Sequence, residues 1–144
     1  MEDVRTVDYE ALGHFRYHIR RFLHFSEAAA RAEGLEPQQH QMLLAIRSGP
    51  EPDGPTISQL AENLFLKHHS AVGLVDRLVE RGLAERTRGG DDRRLVRVRL
   101  TATGLEKLLR LSSVHQQELR LSGPILVDAL TELLHGLPAK AQQH

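Results

Sequence analysis

A mainly α-helical fold with one small β-hairpin is what the sequence predicts, and three observations predict it. Apolar residues recur every three or four positions over most of the 144 residues. That period breaks between Leu83 and Leu100, where two short runs of extended character flank Gly89-Gly90-Asp91. Glycine and proline punctuate the helical stretches at Gly34, Gly49–Pro55, Gly82, Gly123-Pro124 and Gly136–Pro138.

Each element follows in order. From Tyr9 to about Arg31, Leu12, Phe15, Ile19, Phe22 and Leu23 form one stripe of a long amphipathic helix, which Gly34 stops. Pro37 opens a second helix through Met42, Leu43 and Ile46 to Ser48. Five of the seven residues Gly49–Pro55 are Gly or Pro, which makes a loop. Ser58 is read as the cap of a short helix covering Gln59 to Leu64. A turn at Phe65–His68 leads into a helix over His69–Arg81, with Val72, Val75, Leu78 and Val79 facing inward and Gly82 as its end. Two helices joined by such a turn fit a helix-turn-helix.

Leu83–Arg88 and Leu95–Leu100 are read as strands joined by Gly89-Gly90-Asp91. A helix-turn-helix followed by a hairpin is a winged helix, placed at residues 53–100. Thr101 caps a long helix bearing Leu105, Leu108, Leu109, Ser112, His115 and Leu119, which Gly123-Pro124 is expected to break. A last helix carries Val127, Leu130, Leu133, Leu134 and Leu137 and is expected to close at Gly136–Pro138. The chain is read as a single domain, 1–144. Its helical parts, 1–48 and 101–144, carry apolar stripes long enough to call for a second copy of the chain as cover, hence a homodimer.

Composition sets bounds. The chain has no cysteine, which excludes a disulfide framework, cysteine-ligated zinc and a thiol redox switch. No stretch approaches the roughly 18 consecutive apolar residues of a membrane span. The start Met1-Glu2-Asp3-Val4-Arg5 is not a secretory signal, and a cytoplasmic location is the expectation. Lys+Arg and Asp+Glu are balanced at 19 each, so the net charge is zero. The zero is not uniform. Residues 86–99 hold six Arg and two Asp, a net of +4, which leaves −4 for the remainder. An arginine-bearing hairpin suits phosphate and the DNA minor groove, since guanidinium is planar and multiply donating; a solvated strand edge explains the same charges when no helix-turn-helix precedes it.

Asp92-Arg93-Arg94-Leu95-Val96-Arg97-Val98-Arg99-Leu100-Thr101 resembles the wing signature of MarR-type transcriptional regulators. Ile57–Leu64 is similar to the first helix of that family's helix-turn-helix, and Val75–Arg86 to the end of its recognition helix and its first wing strand. The order of two helices, winged helix and two helices matches over nearly the whole chain. The resemblance implies a homodimeric repressor that binds double-stranded DNA at a pseudopalindromic operator and is released by a small aromatic or phenolic effector.

It also implies roles for residues. Arg94 would enter the minor groove, held by Asp92. Arg77 would contact phosphate, and His68, His69 and Ser70 would lie at the major groove. Ser58, Lys67, Arg86, Arg88 and Arg93 complete the expected DNA-contacting set. Val72 and Gly73 depart from the family pattern, which often has polar, base-reading residues there. Val72 either meets a thymine methyl or packs in the core, and Gly73 either admits the duplex closely or merely weakens the helix.

Nine histidines raise two further readings. Glu10, His14 and His18 share a helix face, and with His24, His40 or His115 could ligate zinc as some relatives in the family do. A histidine-bearing interface accounts for the same spacing, and no metal or other cofactor is assigned. The resemblance implies an effector cleft, for which His14, His18 and Met42 are the candidates. No Gly-x-Ser-x-Gly elbow, phosphate loop or His-Glu-x-x-His is present, so no catalytic residue is assigned and no enzyme is expected. The alternatives to an effector-released repressor are a zinc-responsive regulator of the same fold and a winged-helix interaction module that does not bind DNA.

Overall fold

The computed structural model describes residues 7–88 and 94–142, and side chains as far as residue 135. The elements are α1 (Tyr9–Ala32), α2 (Pro37–Arg47), α3 (Ile57–Asn63), α4 (His68–Glu80), β1 (Ala84–Arg88), β2 (Val96–Leu100) and α5 (Ala102–Gln142). The expected mainly helical fold with one hairpin is therefore the fold observed. Gly89-Gly90-Asp91, read as the turn of the hairpin, lies outside the described residues, as do Asp92 and Arg93.

The chain divides into two compact units: residues 29–113, and residues 1–28 with 114–144. The first unit holds the helix-turn-helix and the hairpin. Helix α2 packs there against α3, α4 and β2. Its interior is built from Leu35, Met42, Leu43, Leu60, Val75, Leu78, Leu83, Val98 and Leu111, all fully buried. These come from α2, α3, α4, β2 and α5, with Leu35 and Leu83 from the connections, so the apolar faces of those elements have partners within the unit. Strands β1 and β2 pair antiparallel from Ala84 opposite Leu100 to Arg88 opposite Val96. A single bridge joins Thr56 to Arg97, with the Val98 amide donating to the Pro55 carbonyl at 2.9 Å.

Two expectations about helix ends are corrected. Thr56, not Ser58, caps α3: its Oγ1 accepts from the Gln59 amide at 3.2 Å, while the Thr56 amide donates to Gln59 Oε1 at 2.9 Å. This reciprocal pair needs a Gln three residues after the cap, which Thr56 has. Nor does Gly123-Pro124 break α5, or Gly136–Pro138 close it: the helix runs unbroken over 41 residues. Pro124 forfeits one intrahelical hydrogen bond. The Leu-rich segments on either side are strong helix formers and carry the helix across it. Thr101 does cap α5 as expected, its Oγ1 accepting from the Gly104 amide at 3.1 Å.

The second unit combines the N-terminal part of α1 with the distal part of α5. His115 Nε2 lies 2.8 Å from Ser26 Oγ and its ring meets Phe22 and Phe25 edge-on. Ala11 and Ala129 are buried. Many larger apolar side chains of this unit are not: Tyr9 is 78% exposed, Leu121 77%, Leu134 75% and Val127 62%. No helix among the described residues is long and apolar enough to cross a membrane.

Candidate nucleic-acid interface

The helix-turn-helix presents the first turn of α4. Lys67 is its N-cap residue and makes no side-chain capping bond. A lysine cannot accept a hydrogen bond, so the first amides of α4 are left for an external acceptor, where the helix dipole favours an anion. His68, His69 and Ser70 are exposed around that turn. Ser58 is exposed inside the first turn of α3.

Val72 packs against the core of the winged-helix unit and is half-buried, which favours the packing role of the two readings. Gly73 has room: a side chain added there would meet only the Arg77 guanidinium, at 3.8 Å. The outer face of α4 at that turn is therefore formed by Arg77, which is exposed and lies across the glycine four residues before it.

The hairpin is more tightly wired than its charge count suggests. Arg86 on β1 is ion-paired with Asp76 on α4. Arg99 Nε donates to Glu85 Oε1 across the strands at 2.8 Å. Arg97 turns toward the preceding loop, its Nη1 donating to the Gly54 carbonyl at 3.0 Å. Asp76 and Glu85 lie outside residues 86–99, and counting them lowers the local net charge from +4 to +2. Exposed pairs of this kind contribute only about 0.2–1 kcal/mol each. Their effect here is geometric, since the Arg86–Asp76 pair ties the first strand of the hairpin to α4. Arg88, the last residue of β1, and Arg94, two residues before β2, are both exposed.

Of the residues assigned to DNA, Ser58, Lys67, His68, His69, Ser70, Arg77, Arg86, Arg88 and Arg94 are thus exposed. Val72 and Gly73 are half-buried, and Asp92 and Arg93 fall outside the described residues. Sequence reasoning missed Asp76 and Glu85. Their partners are ten and fourteen residues away, and only the register of the hairpin shows that Glu85 faces Arg99.

The three effector candidates do not share one environment. Met42 is fully buried in the core of the winged-helix unit, where it acts as a packing residue, because the apolar face of α2 turns inward. His14 and His18 belong to the other unit, with ring centroids 4.5 Å apart. His18 lines a cavity of about 240 Å³ with Phe22, Leu121, Ile125 and Leu126, flanked by Arg21 and Glu118. His14 lines a separate depression with Asp8, Glu10 and Glu132. Partial burial, then the neighbouring His14 and Arg21, hold the His18 imidazole below the usual histidine value of 6.5. Among the described residues, no three His, Cys, Asp or Glu side chains are grouped to hold a metal ion.

A three-helix core closed by an arginine-bearing hairpin, with the second helix of the helix-turn-helix exposed at its first turn, is a winged helix-turn-helix of the DNA-binding class. Residues 33–95, which hold the helix-turn-helix and the first wing strand, match the model of the MarR family. That family is one of transcriptional regulators. A putative transcriptional regulatory protein for the hcr operon of Thauera aromatica is 29% identical over 130 residues, covering 87% of this chain and 76% of that protein. The structure is similar to that of AbsC, a MarR family transcriptional regulator from Streptomyces coelicolor, with TM-score 0.68, 24% identity and coverage of 88% and 86% of the two chains; at that identity the likeness is one of fold. It is also similar to the transcriptional repressor CouR bound to a 23-mer DNA duplex, with TM-score 0.64, 27% identity and coverage of 83% and 85%. CouR from Rhodococcus jostii RHA1 has also been solved bound to p-coumaroyl-CoA.

Proposed function

We propose that this chain belongs to the MarR family, works as a homodimer that binds a pseudopalindromic operator in double-stranded DNA, and acts as a repressor released by a small effector. The observation that carries the reading is the exposed first turn of α4 beside Arg77, with its wing tied to the same helix by Arg86 and Asp76. Such a pairing delivers a recognition helix and a wing to DNA as one body. The helix would read the major groove, while Arg94 and the neighbouring wing arginines probe the minor groove.

The chain ends supply the dimer. Val127, Leu130 and Leu134 of α5 recur at helical spacing and stand 62%, 42% and 75% exposed. A second copy covers such a face without any further partner, and two copies related by a twofold axis place two recognition helices about 10 base pairs apart. The effector reading rests on the cavity beside His18, whose aromatic and aliphatic walls, flanked by Arg21 and Glu118, suit a small aromatic or phenolic molecule, and on CouR, which has been solved bound to DNA and to p-coumaroyl-CoA. Release requires that the effector bind one spacing of the two winged helices better than the other. Residues 1–48 and 101–144 are thereby given the assembly role and 53–100 the DNA role, in a cytoplasmic regulator without catalytic function.

The test is a DNA-binding titration of wild type and Arg94→Ala across a salt series. Wild-type affinity falls steeply with salt, in proportion to the phosphates neutralised. Arg94→Ala lowers affinity by at least about tenfold, the size of one lost specific contact, with the dimer intact by sedimentation. Unchanged affinity removes the wing from the mechanism, and binding that ignores salt removes the DNA reading in favour of a protein-interaction module.

A further inference from the structure

Three helices of this chain end in the same backbone motif, and one of the three is built from the wrong residue. After α1, the Gly34 amide donates to the Arg31 carbonyl at 2.9 Å and the Leu35 amide to the Ala30 carbonyl at 2.9 Å. After α4, Gly82 donates to Val79 at 3.0 Å and Leu83 to Leu78 at 2.9 Å. After α3, Phe65 donates to Glu62 at 3.3 Å and Leu66 to Ala61 at 2.8 Å. Each is a paired-amide cap whose first residue must take a left-handed backbone, followed by a leucine. Gly34 and Gly82 do so at φ +76° and +71°, Phe65 at φ +55°. A side chain in that region meets a steric penalty that glycine avoids.

Packing does not explain the phenylalanine. Phe65 is 96% exposed, the most exposed large apolar side chain among the described residues. The molecule therefore keeps an aromatic ring in water, at a position where its own two other caps use glycine. Strain combined with exposure marks a residue held for contact with something outside the fold. The ring's location identifies the something. Phe65 stands two residues before Lys67, the N-cap of α4, and is followed by the exposed run Lys67-His68-His69-Ser70. It is continuous with the surface proposed above for DNA, and the positively charged Lys67 stands two residues away.

We propose that Phe65 is an apolar DNA contact of the recognition module, seating its ring against a thymine methyl or the deoxyribose edge beside the phosphates at the start of α4. The proposal rests on the DNA-binding reading. It gives the module a contact that adds affinity without neutralising a phosphate, and with a thymine methyl it adds base preference at a position the arginines do not read.

Phe65→Gly and Phe65→Trp test it, with duplex DNA enriched by the wild-type protein from a random pool. Phe65→Gly suits the left-handed backbone, so its thermal midpoint stays equal to or above wild type. Its affinity falls about tenfold through the lost apolar burial, with the slope of log affinity against log salt unchanged because no charge is removed. Arg77→Ala is the contrast, lowering that slope by about 1. The chain contains no tryptophan, so Phe65→Trp places the sole reporter at the contact. Its emission is quenched or shifted when DNA is added, and uracil-for-thymine duplexes distinguish a methyl contact from a sugar contact. Wild-type affinity in Phe65→Gly, or Phe65→Trp emission that stays fixed at saturating DNA, overturns the proposal and leaves the DNA reading standing; docking of a protein at the ring gives that result. Absence of salt-dependent DNA binding by the wild type defeats the reading itself and the Phe65 contact with it.

Discussion

Residues 29–113 and the unit formed by the chain ends solve the same problem in opposite ways. In the winged-helix unit, α2, α3, α4, β2 and the first turns of α5 bury one another's apolar faces, leaving side chains such as Leu43, Leu78 and Val98 without exposed surface. In the other unit the helices are equally amphipathic, yet Leu121, Val127 and Leu134 stand mostly in water. Periodicity tells which face of a helix is apolar; it does not tell whether the chain itself will cover that face. The difference is the one expected if the proposed DNA-binding unit folds by itself and the chain ends are covered by a second copy, as proposed above.

The largest effect that sharpens this contrast comes from the closed core. Leu78→Ala removes a fully buried side chain from α4 and costs about 3 kcal/mol of folding stability, read by denaturant unfolding. A cost below about 0.5 kcal/mol breaks the description of this unit as sealed. The open unit responds differently. Leu121→Glu with Leu134→Glu leaves the winged helix folded by circular dichroism but shifts sedimentation from dimer to monomer, because charge cannot be buried unpaired at an interface. A dimer that survives both substitutions places the interface elsewhere.

The smallest effect concerns His18. Its imidazole is held below the usual histidine value, so the folded state binds fewer protons than the unfolded state around pH 6.5. Stability is therefore greatest when His18 is neutral and declines as pH falls through the unfolded value. His18→Gln flattens that decline in thermal midpoints measured between pH 8 and pH 5, whereas an unchanged profile assigns the pH dependence to other groups.

The legible parts of the molecule were those fixed by local chemistry. Gly34 and Gly82 end helices where the sequence indicates, Thr101 begins one, and the alternation of Val96, Val98 and Leu100 marks a strand with Val98 inward. The illegible parts depend on competition or distance. Thr56 outcompetes Ser58 as a cap because only Thr56 has a glutamine placed to reciprocate. Gly123-Pro124 reads as a break until the helix-forming strength of both flanks is weighed against one lost hydrogen bond. Met42 reads as a cavity wall from its helix position alone, and only the packed core reveals that it has no exposed surface. In the site, Arg77, Arg88 and Arg94 are exposed, while the diversion of Arg86, Arg97 and Arg99 into Asp76, Gly54 and Glu85 required the fold.

The central claim is that the winged helix reads DNA as one half of a symmetric pair. The most direct measurement is selection of bound duplexes from a random-sequence pool by the purified chain, followed by sequencing. The account predicts one enriched pseudopalindrome, with half-site centres about one helical turn, roughly 10 base pairs, apart. A pool that stays random after repeated selection, or that yields a single half-site with no symmetric mate, contradicts it.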